Sequence, residues 1–348
     1  MSPAAPTSAQ PAKLRWGLIA TGGIARKFAE QLPASRTGEL VAVGSRTPAA
    51  AEKFAADFGG VRAHGSYDAL LADPEVQAVY ISPPHPAHLE WVERAAATGK
   101  HILCEKPLTL RLADTQRAIA AARAGGVCLM EAFMYRCHPQ TDRIAALLAD
   151  GAIGRLRLIR AAFCFDRAFD PAHRLFNRAL GGGGILDIGC YPVSYSRRMA
   201  GAALGRHFAE PEQFKAVGHR LAATGVDDYA TAVATFPGDV VAELCCGTTL
   251  RREVAVRLHG EAGWIDVPAP YHPGGWEGAD TFTLHRAGRD PEVVRSETTQ
   301  KLYALEADAV AAAIAAGARE VPAMSHADSL GNAAVLDDWL AQVGVSYD

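Results

Sequence analysis

Residues 14–131 alternate short apolar runs with helical stretches, and no other feature restricts the fold as strongly. Residues 14–20, 40–44, 76–82, 101–104 and 127–130 have the length and composition of buried strands. Between them, residues 22–32, 48–58 and 86–98 carry helical patterns. The second opens with Pro48 in its first turn and the third ends at Gly99. Strand, helix, strand in succession builds a parallel pair with a right-handed crossover. The expected unit is a doubly wound parallel sheet of Rossmann type over residues 14–134, preceded by a flexible tail at 1–13 rich in Ala, Pro and Ser.

The rhythm then changes. Residues 156–165 form a long strand-like run, and a glycine cluster at 181–184 leads into a helix. From 214 to 284 strands follow one another, with turns at Pro237-Gly238-Asp239 and Glu261-Ala262-Gly263. Strands without crossover helices make an open, largely antiparallel sheet. Residues 135–348 are therefore expected to be an α+β domain for substrate binding and oligomerisation. Its two closing Ala-rich helices, 301–316 and 325–343, are free to pack back on the first domain. An open sheet face with apolar side chains needs a cover, and a twofold homodimer supplies one.

The first strand runs into Ala20-Thr21-Gly22-Gly23-Ile24-Ala25, which fits G-x-G-x-x-G/A with Ala20 in place of the first glycine. Gly22 lets the backbone approach a pyrophosphate, and the helix that follows turns its N–H groups toward it. The second strand ends at Gly44-Ser45-Arg46-Thr47, with no carboxylate for a ribose 2′-hydroxyl. Arg46 suits a 2′-phosphate, with hydroxyl donors from Ser45 and Thr47, so the expected cofactor is NADP. Arg46 as a solvated surface residue is the plain alternative.

Two further segments carry chemistry. Cys104-Glu105-Lys106-Pro107 follows the fifth strand, and the carboxyl ends of such strands face the ligand crevice. Proline there restricts the backbone of Lys106. In Gly184-Ile185-Leu186-Asp187-Ile188-Gly189-Cys190-Tyr191, Asp187 and Tyr191 lie four apart, on one helix face. The glycines before them give a ligand access to the helix N-terminus. A lysine beside a tyrosine lowers the phenol pKa, and such a pair can take a substrate proton. A buried tyrosine and a helix-start aspartate are the alternative.

These segments resemble the glucose–fructose oxidoreductase, inositol dehydrogenase and MocA (Gfo/Idh/MocA) family over about residues 14–345. Leu129-Met130-Glu131-Ala132, Thr224-Gly225-Val226-Asp227-Asp228 and Phe236-Pro237-Gly238 are similar to its branch of dimeric dihydrodiol dehydrogenases and NADP-dependent D-xylose 1-dehydrogenases. The resemblance implies an NADP-dependent oxidoreductase that moves hydride between nicotinamide and a sugar, diol or related carbonyl compound. It makes Lys106 and Tyr191 a catalytic pair and has Asp187 orient a substrate hydroxyl. The cofactor side is then Ala20, Thr21, Gly22, Gly23, Ile24, Ser45, Arg46 and Glu105, with Ser82, Pro83, His85 and His88 near the nicotinamide. Arg136 and His138, after the last strand of the first domain, either face substrate at the domain junction or are structural. A nucleotide-dependent glycosidase and a non-catalytic NADP-binding sensor are the competing readings. The first often has histidine at the catalytic position and an export signal, and the second tends to lose the lysine or tyrosine.

Composition removes other classes. Hydrophobic residues are 49% and charged residues 21%, and the net charge of -3 carries no block of one sign, so nucleic acid is not an expected partner. No apolar run is long enough for a bilayer, and no secretory signal opens the chain. Seven cysteines without a C-x-x-C pair suggest reduced thiols in a cytoplasmic protein. His85 and His88 lack a third ligand of suitable spacing, so no metal is expected.

Overall fold

The computed structural model describes residues 13–274, 280–296 and 298–347; the tail expected at 1–13 lies outside them save Lys13. Six strands form the first sheet: β1 (Leu14–Ile19), β2 (Gly38–Gly44), β3 (Arg62–His64), β4 (Ala78–Ile81), β5 (His101–Glu105) and β6 (Leu129–Ala132). Their order is β3-β2-β1-β4-β5-β6 and all pairs are parallel. The crossovers carry α1 (Gly23–Gln31), α2 (Pro48–Asp57), α3 (Tyr67–Leu71), α4 (His88–Ala97) and α5 (Leu112–Ala124). The chain order reverses between β1 and β4, where ligands bind outside the carboxyl ends of such sheets.

Both faces of this sheet are buried, by different partners. On one, Ala42, Val79, Ile81 and Ile102 pack against apolar residues of α3, α4 and α5. On the other, Trp16, Leu18 and Tyr80 meet Phe28 of α1 and Tyr303 near the chain's end, in a cluster continuous with the second domain. Phe28 stacks on Tyr80 with ring centroids 4.2 Å apart, and Tyr303 meets both edge-on at 6.1 and 6.3 Å. The two domains thus share one hydrophobic core.

After α6 (Pro139–Ala149), β7 (Leu156–Cys164) and α7 (Cys190–Ala203), the chain forms β8 (Gln213–Arg220), β9 (Asp227–Phe236), β10 (Val240–Gly247), β11 (Ala255–Gly260), β12 (Gly263–Val267), β13 (Asp280–Arg286) and β14 (Glu292–Ser296). The sheet order is β14-β13-β12-β11-β7-β10-β9-β8. All pairs are antiparallel except β7 with β10, because β7 enters from the first domain and is inserted in the middle. The β9–β10 hairpin turns at Gly238 and Asp239, both at positive φ (83° and 61°), as Pro237-Gly238-Asp239 indicated.

Period-two burial divides this sheet. Ala230, Ala232, Ala234 and Phe236 of β9 point into the core, while Tyr229 and Val233 point out. α7 and α9 (His326–Val343) cover the inner face. Val217, Val241, Trp264 and Val293 join Tyr229 and Val233 as exposed side chains on the outer strand faces. α8 (Leu302–Ala315) returns to the first domain. Its Asp308 accepts Ser35 Oγ and Thr37 Oγ1, both at 2.5 Å, and the amides of Arg36 and Thr37 at 3.1 and 3.0 Å. Gln31 Oε1 accepts the Tyr303 amide at 3.1 Å, and Asp337 of α9 accepts the Leu112 amide at 2.9 Å. Among the described residues no helix is long and apolar enough to cross a membrane.

Candidate active site

The glycine fingerprint sits between β1 and α1. Ala20 takes φ +89°, the left-handed region where the pattern ordinarily has glycine, and it does so at the end of a buried strand. Gly22 precedes α1 with extended backbone. A Cβ built on Gly22 or Gly23 would meet nothing within 4 Å, so both stand against open space and can admit a ligand's phosphates. Across from them Thr21 Oγ1 lies 3.5 Å from Ser45 Oγ. Ser45 is buried and Arg46 exposed at the end of β2. Arg46 lies close enough to Tyr67 for its charge to oppose the upward push of burial on that phenol. Thr47 caps α2, accepting the Ala50 amide at 3.4 Å. With no carboxylate at 44–47, these residues fit a nucleotide bearing a 2′-phosphate.

Beyond Gly22–Gly23 lies a cleft of about 600 Å³. The first domain supplies Ile24, Ser82, Pro83, His85, His88, Glu105 and Lys106 to its walls, and the second supplies Phe163, Arg174, Asp187, Tyr191 and His272. Lys106 is at its centre. The Lys106 ammonium donates to the Asp187 backbone carbonyl at 2.7 Å, lies 3.8 Å from Asp187 Oδ1 and sits 5.0 Å above the Tyr191 ring. Arg174 donates to the same Oδ1 at 2.9 Å. Burial pushes the Asp187 pKa up, yet Lys106 and Arg174 outweigh it and hold the carboxyl at about 2. The site therefore holds one firmly ionised carboxylate between two cations.

The neighbouring groups are buried. Glu105 accepts the Tyr80 hydroxyl and its own successor's amide at 3.2 Å; burial raises its pKa against the pull of Lys106. His85 Nδ1 lies 3.2 Å from the Gly181 carbonyl, and burial drives its pKa to about 3. The His88 nitrogens face the carbonyls of Pro107 at 3.0 Å and Pro83 at 2.9 Å, so its ring ties the loops after β4 and β5 together. Burial lowers its pKa, against the opposing pull of these backbone hydrogen bonds.

Several expectations change. The Tyr191 hydroxyl lies 3.7 Å from Met134 Sδ, and burial pushes its pKa well above 10. Lys106 sits 5.0 Å from the ring centroid, and burial outweighs any pull of its charge on that pKa. Asp187 and Tyr191 do not share a regular helix: residues Ile185–Gly189 are a π-helical turn that runs into α7, although both side chains reach the cleft. The glycines at 181–184 meet protein groups. A Cβ on Gly182 would fall 2.6 Å from the Arg174 carbonyl, and one on Gly183, at φ +115°, 2.5 Å from Asp227. They are small because the 174–175 loop and β9 crowd them.

Arg136 and His138 do not reach the cleft. Arg136 is buried and donates to Asp328, to the Ala323 carbonyl at 2.9 Å and to the Ser194 carbonyl at 3.3 Å. Arg197 completes that cluster on Asp328 at 2.6 Å. His138 caps α6, accepting the Gln140 amide at 3.1 Å. Arg136 ties the turn before α6 to α7 and α9. Arg174 and His272, absent from the sequence expectations, lie in segments without a period. No sequence signal pointed to either; only the folded chain brings Arg174 to Asp187. Among the described residues no three His, Cys, Asp or Glu side chains gather as a metal site.

Comparison with known proteins agrees with this geometry. Residues 14–133 match the model of an oxidoreductase family with an NAD-binding Rossmann fold, and residues 141–266 match the GFO/IDH/MocA C-terminal domain. The chain is 34% identical over 340 residues to the trans-1,2-dihydrobenzene-1,2-diol dehydrogenase of Mus musculus, covering 96% of this chain and 98% of that one. A 3-ketoreductase from Actinomadura kijaniata, solved with NADP and TDP-benzene, superposes with a TM-score of 0.83 at 30% identity, covering 95% and 98%. An aldose-aldose oxidoreductase from Caulobacter crescentus, complexed with glycerol, gives 0.84 at 25% identity over the same shares.

Proposed function

Starting from the chain's membership of the Gfo/Idh/MocA family of oxidoreductases, we propose that it is an NADP-dependent dehydrogenase acting on a CH–OH group of a cyclic diol or sugar. One observation carries the reading. Lys106, Asp187 and Tyr191, from two domains, line a single cleft that continues from the glycine turn at the carboxyl ends of the parallel strands. When bound there, the nucleotide supplies hydride transfer.

The chain's own residues do the rest. Ser45 and Arg46 hold the 2′-phosphate, and the Gly22 turn holds the pyrophosphate. The loop held by His88 closes one side. Lys106 donates to the substrate oxygen, and Tyr191 exchanges the hydroxyl proton across the domain junction. A phenol kept protonated by burial can donate its proton to a carbonyl at neutral pH, and a Lys106 brought to the hydroxyl by substrate would let it accept one from an alcohol. Asp187 keeps both cations in place and accepts from a second substrate hydroxyl. Phe163, Met134 and Ile188 make the remaining wall apolar, which suits a ring compound.

A screen of trans-dihydrodiols and aldoses with NADP⁺ and NAD⁺, and of the matching carbonyls with the reduced cofactors, tests this by cofactor absorbance. Turnover with NADP and at least a tenfold preference over NAD is expected, and Arg46→Ala should cost about 1.5–3 kcal/mol in NADP efficiency alone. Equal use of both nucleotides would defeat the cofactor assignment, and tight binding without turnover the enzymatic one.

The outer face of the second sheet is read as the contact between two copies in a twofold dimer, because its exposed valines, Tyr229 and Trp264 all point to that one side. A monomeric mass in light scattering at micromolar concentration speaks against it. The seven free thiols support a reducing, cytoplasmic setting.

A further inference from the structure

Thr224-Gly225-Val226-Asp227-Asp228 is a sequence motif with no residue in the cleft. Both of its aspartates are buried at the start of β9, and they have different partners. Asp228 Oδ1 lies 2.7 Å from His219 Nδ1, and its Oδ2 accepts Thr249 Oγ1 at 2.8 Å. Asp227 meets the glycine cluster instead. Its Oδ2 accepts the Ile185 amide at 2.7 Å, and the Gly184 amide pulls on the same carboxyl. The end of the chain reaches the same place from another element. α9 stops at Gly344, which takes φ +77°, and the Val345 amide returns to the Leu340 carbonyl at 2.9 Å. The chain thereby turns back, and the Tyr347 hydroxyl donates to the Gly182 carbonyl. A Cβ on Gly183 would lie 2.5 Å from Asp227 Oδ1 and 2.8 Å from the Tyr347 hydroxyl, so both groups converge on one glycine.

Glycines have no side chains with which to hold a loop, so its position depends on the partners of its backbone groups. Here they come from several sides. The Gly181 carbonyl lies 3.2 Å from His85 Nδ1, and the Gly183 amide donates to the Leu175 carbonyl at 2.8 Å. Tyr347 takes the Gly182 carbonyl and Asp227 the Ile185 amide. The Gly183 carbonyl in turn accepts the Asp187 amide at 3.2 Å. Whatever fixes residues 182–185 therefore fixes Asp187. The Asp187 carbonyl receives the Lys106 ammonium at 2.7 Å, and its carboxylate lies 3.8 Å from it.

We propose that Asp227 and Tyr347 are positioning residues, which hold the turn 182–187 so that Asp187 receives the Lys106 ammonium at the centre of the cleft. Neither lines the cleft, and both act through the backbone of the turn between them and Asp187. The last turn of the chain is thus part of the support of the site. A displacement of about 1 Å at a reacting group can cost on the order of 10²-fold in rate, so a support of this kind shows in turnover before it shows in stability. The effect on turnover rests on the roles proposed above for Lys106 and Asp187; the effect on the placement of Lys106 does not.

The test reads Lys106 first, in the full-length protein without substrate or nucleotide. Brief treatment with N-acetoxysuccinimide acetylates lysines, and mass spectrometry follows each one, with the exposed Lys13 and Lys53 as internal standards. Lys106 should react about tenfold faster in Asp227→Ala and about threefold faster in Tyr347→Phe, the scale of one lost hydrogen bond. Asp227→Asn keeps an acceptor oxygen and should stay within about twofold of the parent. Asp228→Asn, whose carboxylate faces other partners, should match the parent. In turnover, Asp227→Ala should lower kcat by about 10–10²-fold with KM for NADP unchanged, and the same change in Lys106→Met should cost nothing further. If Asp227→Ala does not fold, Tyr347→Phe decides by the same readouts. Lys106 acetylation that stays at the parent rate in Tyr347→Phe overturns the proposal. So does acetylation that rises equally at Lys53, or a loss of turnover that is as large without Lys106. A parent that turns over no diol, sugar or carbonyl compound defeats the dehydrogenase reading and leaves the acetylation to decide the positioning.

Discussion

The two sheets meet the same demand, covering apolar faces, in opposite ways. In the parallel sheet crossover helices, with α8 returning from the second domain, bury both faces and only the strand ends are left for function. In the second sheet hairpins return without helices, so one face packs on α7 and α9 and the other is left outside. A residue in the first sheet is therefore structural unless it stands at a carboxyl end, as Lys106 does. In the second, consecutive residues have different employment, as Phe163 in the cleft and Cys164 behind it show.

The sharpest test is at the junction where the two meet. Tyr191→Phe keeps the ring and removes the proton carrier, so kcat should fall by about 10²–10⁴-fold with nucleotide affinity nearly intact. Lys106→Met should do comparable damage, and the double variant should be little worse than either alone. A kcat for Tyr191→Phe within about threefold of the parent would make it a packing residue.

The next test sets one sheet against the other. Trp16→Ala, in the wholly buried sheet, should cost about 3–5 kcal/mol in chemical denaturation, whereas Val233→Ala on the outer face should stay within about 0.5 kcal/mol at concentrations too low for two copies to associate. Similar costs at both positions would mean that the outer face is as firmly covered as the inner one. Between these two costs, Asp308→Asn loses part of a carboxylate that five donors share and should cost about 2 kcal/mol in urea unfolding.

The last test concerns pH. Asp187 is held near 2, below its unfolded value, so its ion pairs stabilise the fold above the unfolded pKa and are lost as pH falls through about 2. Arg174→Gln removes one counter-ion, so the Asp187 pKa rises and the acid edge of kcat/KM should move up by about one unit. An edge that stays in place would show that Arg174 does not act through Asp187.

The strands and the glycine turn were legible because both are local: apolar runs of fixed length, and a glycine pattern between a strand and a helix. The short β3, α3, α5 and α6 escaped because their apolar spacing is weak or brief. Lys106, Asp187 and Tyr191 could be picked out because each stands at an element boundary. Arg136 stands at one too and misled, since its partner Asp328 is 192 residues away and nothing near it announces a buried ion pair. Arg174 was hidden for the opposite reason: its loop has no period, and only the folded chain brings it to Asp187.

The return of α8 to the first domain also bears on how the protein is made. Gln31 and Tyr303 are bonded across 272 residues, and Asp308 holds the loop before β2 across a similar separation. During synthesis the nucleotide-binding unit emerges first, yet Trp16, Phe28 and Tyr80 have no cover on that side until nearly the whole chain has left the ribosome. The unit must wait with an aromatic surface bare, which exposes it to association with other nascent chains and slows its completion. A fragment ending near residue 134 inherits that bare surface permanently, so truncation after the first domain yields an aggregating product in place of a small nucleotide-binding module.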